Sequence, residues 1–94
     1  MLTSKQRAKL RALSNNSETL FQIGKDGISD KMIKSISDCI DARELIKLRV
    51  LESSGVTASD AAKEIASRIG AEVVFAMGTR FVLYKKAEKS KIEL

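Results

Sequence analysis

The spacing of apolar residues along the chain switches between helical and strand periods, and each switch marks an element. Leu10 and Leu13 lie one helical turn apart with Leu2 behind them, which predicts a first helix capped by Thr3 or Ser4 and running to about Ser14. Lys5, Arg7, Lys9 and Arg11 flank that narrow stripe on both sides. Asn15-Asn16-Ser17 reads as a stop and turn, and Thr19 to Ile23 as a brief strand. Ser29 can cap a second helix, with Asp30 in its first turn and Met32, Ile33, Ile36 and Ile40 as its inner face. From Glu44 to Glu52 the pattern alternates. Ile46, Leu48 and Val50 point one way, and Lys47 and Arg49 the other, between Leu45 and Leu51.

Beyond a loop at Ser53-Ser54-Gly55, Thr57 or Ser59 can cap a third helix carrying Ala62, Ile65, Ala66 and Ile69, ended by Gly70. Two strands, Glu72 to Met77 and Arg80 to Lys85, flank Gly78-Thr79, and two residues led by glycine fit a type II′ hairpin. The order is helix, strand, helix, strand, helix, strand, strand. Such an order predicts an α/β fold in which a mixed sheet ends in an antiparallel hairpin. Residues 1–86 form the expected domain, and residues 87–94 a charged tail.

Composition narrows the function. The 94 residues suffice for one domain with one modest core. Lys plus Arg number 17 against 12 Asp plus Glu, a net charge of +5. The resulting pI of about 9.6 is a footprint of polyanion binding, although surface lysines can also serve solubility alone. There is no histidine and a single cysteine, Cys39, which falls on a helical pattern and reads as a small core residue. A tetrahedral zinc site and the usual acid–base and thiol chemistry therefore lack their residues, so no cofactor, metal or catalytic residue is expected. With no apolar run long enough for a membrane span and no signal-like N-terminus, the expected location is the cytoplasm.

Gly24-Lys25-Asp26-Gly27 stands between the first strand and the second helix. It is neither a P-loop nor a dinucleotide fingerprint. The two glycines can be read as suppliers of positive φ for a tight turn. They can equally be read as a place where a nucleic-acid backbone approaches the main chain, as in the G-x-x-G loop of KH modules. Lys25, Lys31 and Lys34 supply charge beside the loop, and helix 1 adds more. Lys47 and Arg49 form a basic strand face that could simply be solvated. Arg80 and Tyr84 alternate in step on the last strand, where a tyrosine beside arginines could stack a base. Phe21, Phe75 and Phe81 read as core.

The opening Leu2-Thr3-Ser4-Lys5-Gln6-Arg7 and the stretch from Phe21 to Ile28 resemble those of stand-alone YhbY-like proteins, the bacterial form of the CRM (chloroplast RNA splicing and ribosome maturation) domain. The stretches Glu44 to Lys47, Gly70 to Val74 and Gly78 to Lys85, and the ending Lys91 to Leu94, are similar to later blocks of that family. The resemblance implies a four-stranded mixed sheet with three helices, similar to the C-terminal domain of translation initiation factor three. It also implies an RNA-binding protein whose partners are large-subunit ribosomal RNA and pre-ribosomal particles. Plant relatives act on introns, so a general RNA chaperone or intron factor is the alternative. A DNA-binding domain and a phosphate-ligand protein are the other classes open to a basic chain of this kind. The family's loop carries over as Gly24, Lys25, Asp26 and Gly27, although many relatives have a small residue where Asp26 stands. The expected RNA-binding set is this loop with Lys31, Lys34, Lys5, Arg7, Lys9, Arg11, Lys47, Arg49 and Arg80.

Overall fold

Thr3 starts helix α1 (Ser4–Ser14) through a capping box, its side chain accepting from the Gln6 N–H while the Gln6 side chain accepts from the Thr3 N–H. The computed structural model describes residues 2–86; the tail at 87–94 lies outside them. Strand β1 (Thr19–Ile23) leads through the glycine loop to helix α2 (Asp30–Arg43), whose N-cap is Ser29. Strand β2 (Leu45–Val50) follows, then a short 3-10 turn at Glu52–Ser54. Helix α3 (Ala58–Ile69) is capped by Thr57 and ends at Gly70. Strands β3 (Glu72–Met77) and β4 (Arg80–Tyr84) form the hairpin. Gly78 has a positive φ and Thr79 does not, which fits type II′ and excludes type I′.

The four strands make one mixed sheet in the order β1-β2-β4-β3, with β1 parallel to β2 and the other pairs antiparallel. One face, carrying Ile23, Ile46, Leu48, Val50, Phe81 and Leu83, packs on α2 and α3 and forms the main core. Helix α3 contributes a stripe of small residues, Ala58, Ala61, Ala62 and Ala66, around Ile65. Cys39, Phe21, Met32 and Ile33 pack on the margin of this core, half-buried.

The other face is covered in part by α1. Leu10, fully buried, sits with Val74, Val82 and Tyr84 in a second, smaller cluster, with Leu2, Leu45 and Phe75 at its edge. Three expectations change here. Tyr84 is buried at 5% exposure under α1, so it packs as core and is no platform for a base. Leu13 is 43% exposed, because Leu10 alone of the pair reaches the cluster. The strand expected from Glu44 to Glu52 is shorter. Glu44 is a buried residue with positive φ (66°) that turns the corner between α2 and β2, its N–H donating to the Ile40 carbonyl at 2.7 Å. An alternating pattern carries no trace of such a corner.

Each outer strand holds one extra residue relative to its neighbour: Leu20 in β1 and Val74 in β3. The inner pair β2–β4 runs in unbroken register.

Candidate nucleic-acid interface

The glycine loop leaves β1 immediately after Ile23. The Gly27 N–H donates to the Gly24 carbonyl at 2.9 Å, closing a four-residue turn with Lys25 and Asp26 at its tip. Neither tip residue has a positive φ, so the turn belongs to type I rather than type II, with glycine at its fourth position in the left-handed region (φ 68°). Gly27 is thus explained by backbone conformation. Gly24 is not: its φ is not positive, and a Cβ there would meet only Leu51 Cδ1, at 3.5 Å, an ordinary contact. The reading in which both glycines supply positive φ holds for Gly27 alone.

Both tip residues, Lys25 and Asp26, are exposed. Lys31 and Lys34 are exposed on α2, one turn apart. The N-terminus of α2 is already partly answered by the chain itself. Ser29 Oγ accepts from the Met32 N–H at 3.1 Å, and Asp30 places a carboxylate in the first turn. Arg68 of α3 pairs with that carboxylate at 2.6 Å, tying α2 to α3.

The basic residues of α1 divide by task. Arg7 donates to the Val74 carbonyl at 3.4 Å, and the Arg11 guanidinium stands 5.0 Å from the centre of the Phe75 ring. Both therefore clasp α1 to β3 while remaining exposed. Lys5 and Lys9 are exposed beside them.

On the sheet, Lys47 and Arg49 share the face that α1 partly covers, and both are half-buried. They lead to different surroundings. Lys47 lines a cleft of about 330 Å³ with Asn16, Glu18, Arg43 and Leu45, at the strand end remote from the glycine loop. Arg49 lies nearer the loop, between Gln22 of β1 and Arg80 of β4, its partners in register. Gln22, outside the expected RNA-binding set, is exposed on this row, where the alternation of β1 up to Ile23 places it. The structure thus places Gln22, Arg49 and Arg80 on the strands at one end of the sheet, with Gly24–Gly27 just beyond the carboxyl end of β1. Lys47 stands two residues from Arg49 on the same strand face, and the α1 arginines contact β3.

Among the described residues no cluster of His, Cys, Asp or Glu could hold a metal, and no helix is long and apolar enough to cross a membrane.

The family model for the CRS1/YhbY (CRM) domain matches residues 2–85. The chain belongs to the CRM domain family. This CRM domain is 39% identical over 95 residues to the protein named "Probable RNA-binding protein YqeI" of Bacillus subtilis, a match covering 100% of this chain and 99% of that one. It is 27% identical over 93 residues to a protein of Haemophilus influenzae named "RNA-binding protein", covering 99% and 94% of the two chains. Among solved structures it is similar to the protein SAV1595 from Staphylococcus aureus, with a TM-score of 0.73 and 40% identity over 100% of this chain and 99% of that one. The α/β architecture with three helices and a four-stranded mixed sheet is therefore shared with a relative of known structure.

Proposed function

We propose that this CRM domain is an RNA-binding protein that assists assembly of the large ribosomal subunit, gripping RNA backbone at the loop from Gly24 to Gly27. The observation that carries this reading is Gly24: the turn does not need glycine there, whereas a phosphodiester approaching the main chain does. Relatives named as RNA-binding proteins over nearly their full length support the ligand class. The ribosomal assignment rests on the family resemblance. Lys25 at the tip, with Lys31 and Lys34 to one side of it, neutralises phosphates, and contacts of this kind position RNA without reading its sequence. The domain acts here by binding alone, in the cytoplasm.

Two expected results test the loop. Lys25→Ala weakens binding to a single-stranded RNA about fivefold at 0.1 M salt and makes the salt dependence shallower by about 0.7 in log–log slope, one phosphate contact. Filter binding across a salt series measures both, and an unchanged slope removes Lys25 from the site. Gly24→Ala and Gly27→Ala separate the fold from the interface. Gly27→Ala lowers stability by about 1 kcal/mol because alanine is strained at φ 68°. Gly24→Ala leaves the melting midpoint within about 2 °C yet weakens RNA binding, by the same close-approach argument. Wild-type affinity in a folded Gly24→Ala protein would place the RNA elsewhere.

The ribosomal assignment is tested by ultraviolet crosslinking of the protein in growing cells and sequencing of the bound RNA. Enrichment of one region of large-subunit ribosomal RNA is the expected result. Enrichment of intron or messenger RNA keeps the RNA-binding function and removes the ribosomal role.

A further inference from the structure

Arg49 is the residue of this face whose environment is incomplete. Its Nε is buried without a hydrogen-bond partner, a deficit that native proteins rarely leave unfilled. Its cross-strand partner is another arginine, Arg80. The ladder makes this proximity close. The Val50 N–H donates to the Thr79 carbonyl and the Lys85 N–H to the Glu44 carbonyl, so the even positions of β2 are the hydrogen-bonded pairs and Arg49–Arg80 is a non-bonded pair. In such pairs Cβ atoms stand about 4.5–5.5 Å apart, and like charges directly opposite repel. Among the described residues no carboxylate pairs with either guanidinium; Asp30 and Asp41 pair elsewhere, with Arg68 and Lys85. The acids near this end of the sheet, Asp26, Asp30, Glu52 and Asp60, are all exposed on loops, the 3-10 turn or helix starts.

Two arginines directly opposite each other on β2 and β4, with no carboxylate paired to either, favour an anion with several oxygens between them. A phosphate matches the planar fork of arginine, and two forks can share one phosphate. Gln22, next in the row, offers an amide on the loop side. The row from Gln22 to Arg80 spans two strand spacings, about 10 Å, and begins two residues before Gly24. An extended polyanion held at the loop therefore reaches the arginines without leaving the surface.

We propose that Arg49 and Arg80 form a phosphate subsite that takes one backbone phosphate of the RNA, so that the strand runs from the glycine loop across β1, β2 and β4. This rests on the RNA-binding reading above and adds a path to it: across the strands, rather than along the arginines of α1, which are engaged by β3.

The test compares wild type, Arg80→Gln and the double variant Arg49→Gln/Arg80→Gln, as full chains, by binding to a fluorescent single-stranded RNA of mixed sequence across about 50–200 mM salt. The double variant is expected to bind about fivefold more weakly at 0.1 M salt, with a slope shallower by about 0.7. Its melting midpoint without RNA should equal or exceed that of wild type, because a like-charge pair has been removed. Millimolar inorganic phosphate at constant ionic strength should raise the midpoint of wild type more than that of the double variant. Wild-type affinity and slope in the double variant overturn the subsite and leave RNA binding standing. A phosphate-dependent rise in midpoint with unchanged RNA affinity identifies a free-phosphate site instead, which also overturns the proposal. If the double variant melts early, the exposed Arg80→Gln change decides alone, and RNA affinity equal to wild type in that variant overturns the subsite. If wild type itself shows no salt-dependent RNA binding, the functional reading fails and the subsite fails with it.

Discussion

Phe81→Ala is expected to cost about 3–5 kcal/mol of folding stability, the largest loss expected from any single change in this domain. Phe81 is fully buried on β4, an inner strand, where it packs with Leu48 and the α2 and α3 residues of the main core. Its removal deletes a large apolar surface and leaves a cavity whose walls belong to three elements, so local collapse cannot close it. A domain has only roughly 5–15 kcal/mol in total. The midpoint of thermal unfolding should fall by more than about 12 °C. A shift under about 4 °C would mean that this core is far more plastic than its packing indicates.

Leu10→Ala tests the other side of the sheet and is expected to behave differently. Leu10 is the fully buried anchor of α1 on Val74, Val82 and Tyr84, and its truncation should cost about 2–4 kcal/mol. Among the further ties of α1 are one arginine bond to a carbonyl and one cation–π contact, each individually modest. Helix α1 should therefore open before the rest of the domain. Hydrogen exchange should show α1 amides losing protection while those of β2 and β4 keep theirs. Equal loss everywhere would make α1 part of a single cooperative unit. The same variant also informs the RNA path: a route across the strands retains the loop and Arg49, so affinity should fall less than in the double arginine variant.

Much of the fold was legible because single residues carried strong local signals. The capping box of Thr3 and Gln6, the caps at Ser29 and Thr57, the alternation of β2 and Gly78 at the hairpin all act within a few residues. What was not legible depended on partners distant in sequence. The period of β4 shows that Arg80 and Tyr84 share a face, yet it does not show that α1 lies over Tyr84 and leaves Arg80 open. The same limit hides the difference between Lys47 and Arg49, which alternate identically and meet different surroundings. In the loop, the G-x-x-G spacing located the candidate site. Only backbone angles distinguished Gly27, required by the turn, from Gly24, which is not.

The extra residues in the two outer strands bear on how the protein survives in concentrated solution. An open four-stranded sheet offers two rows of unpaired backbone groups, and each invites a strand from another copy. Leu20 and Val74 interrupt those rows, breaking the repeat that a docking strand must match and twisting the edge away from it. Polymerisation through the sheet is thereby opposed at both margins, where an intruder would arrive, while the inner pair β2–β4 keeps the regular register that holds Arg49 opposite Arg80. Deleting Leu20 or Val74 would straighten an edge at the expense of solubility.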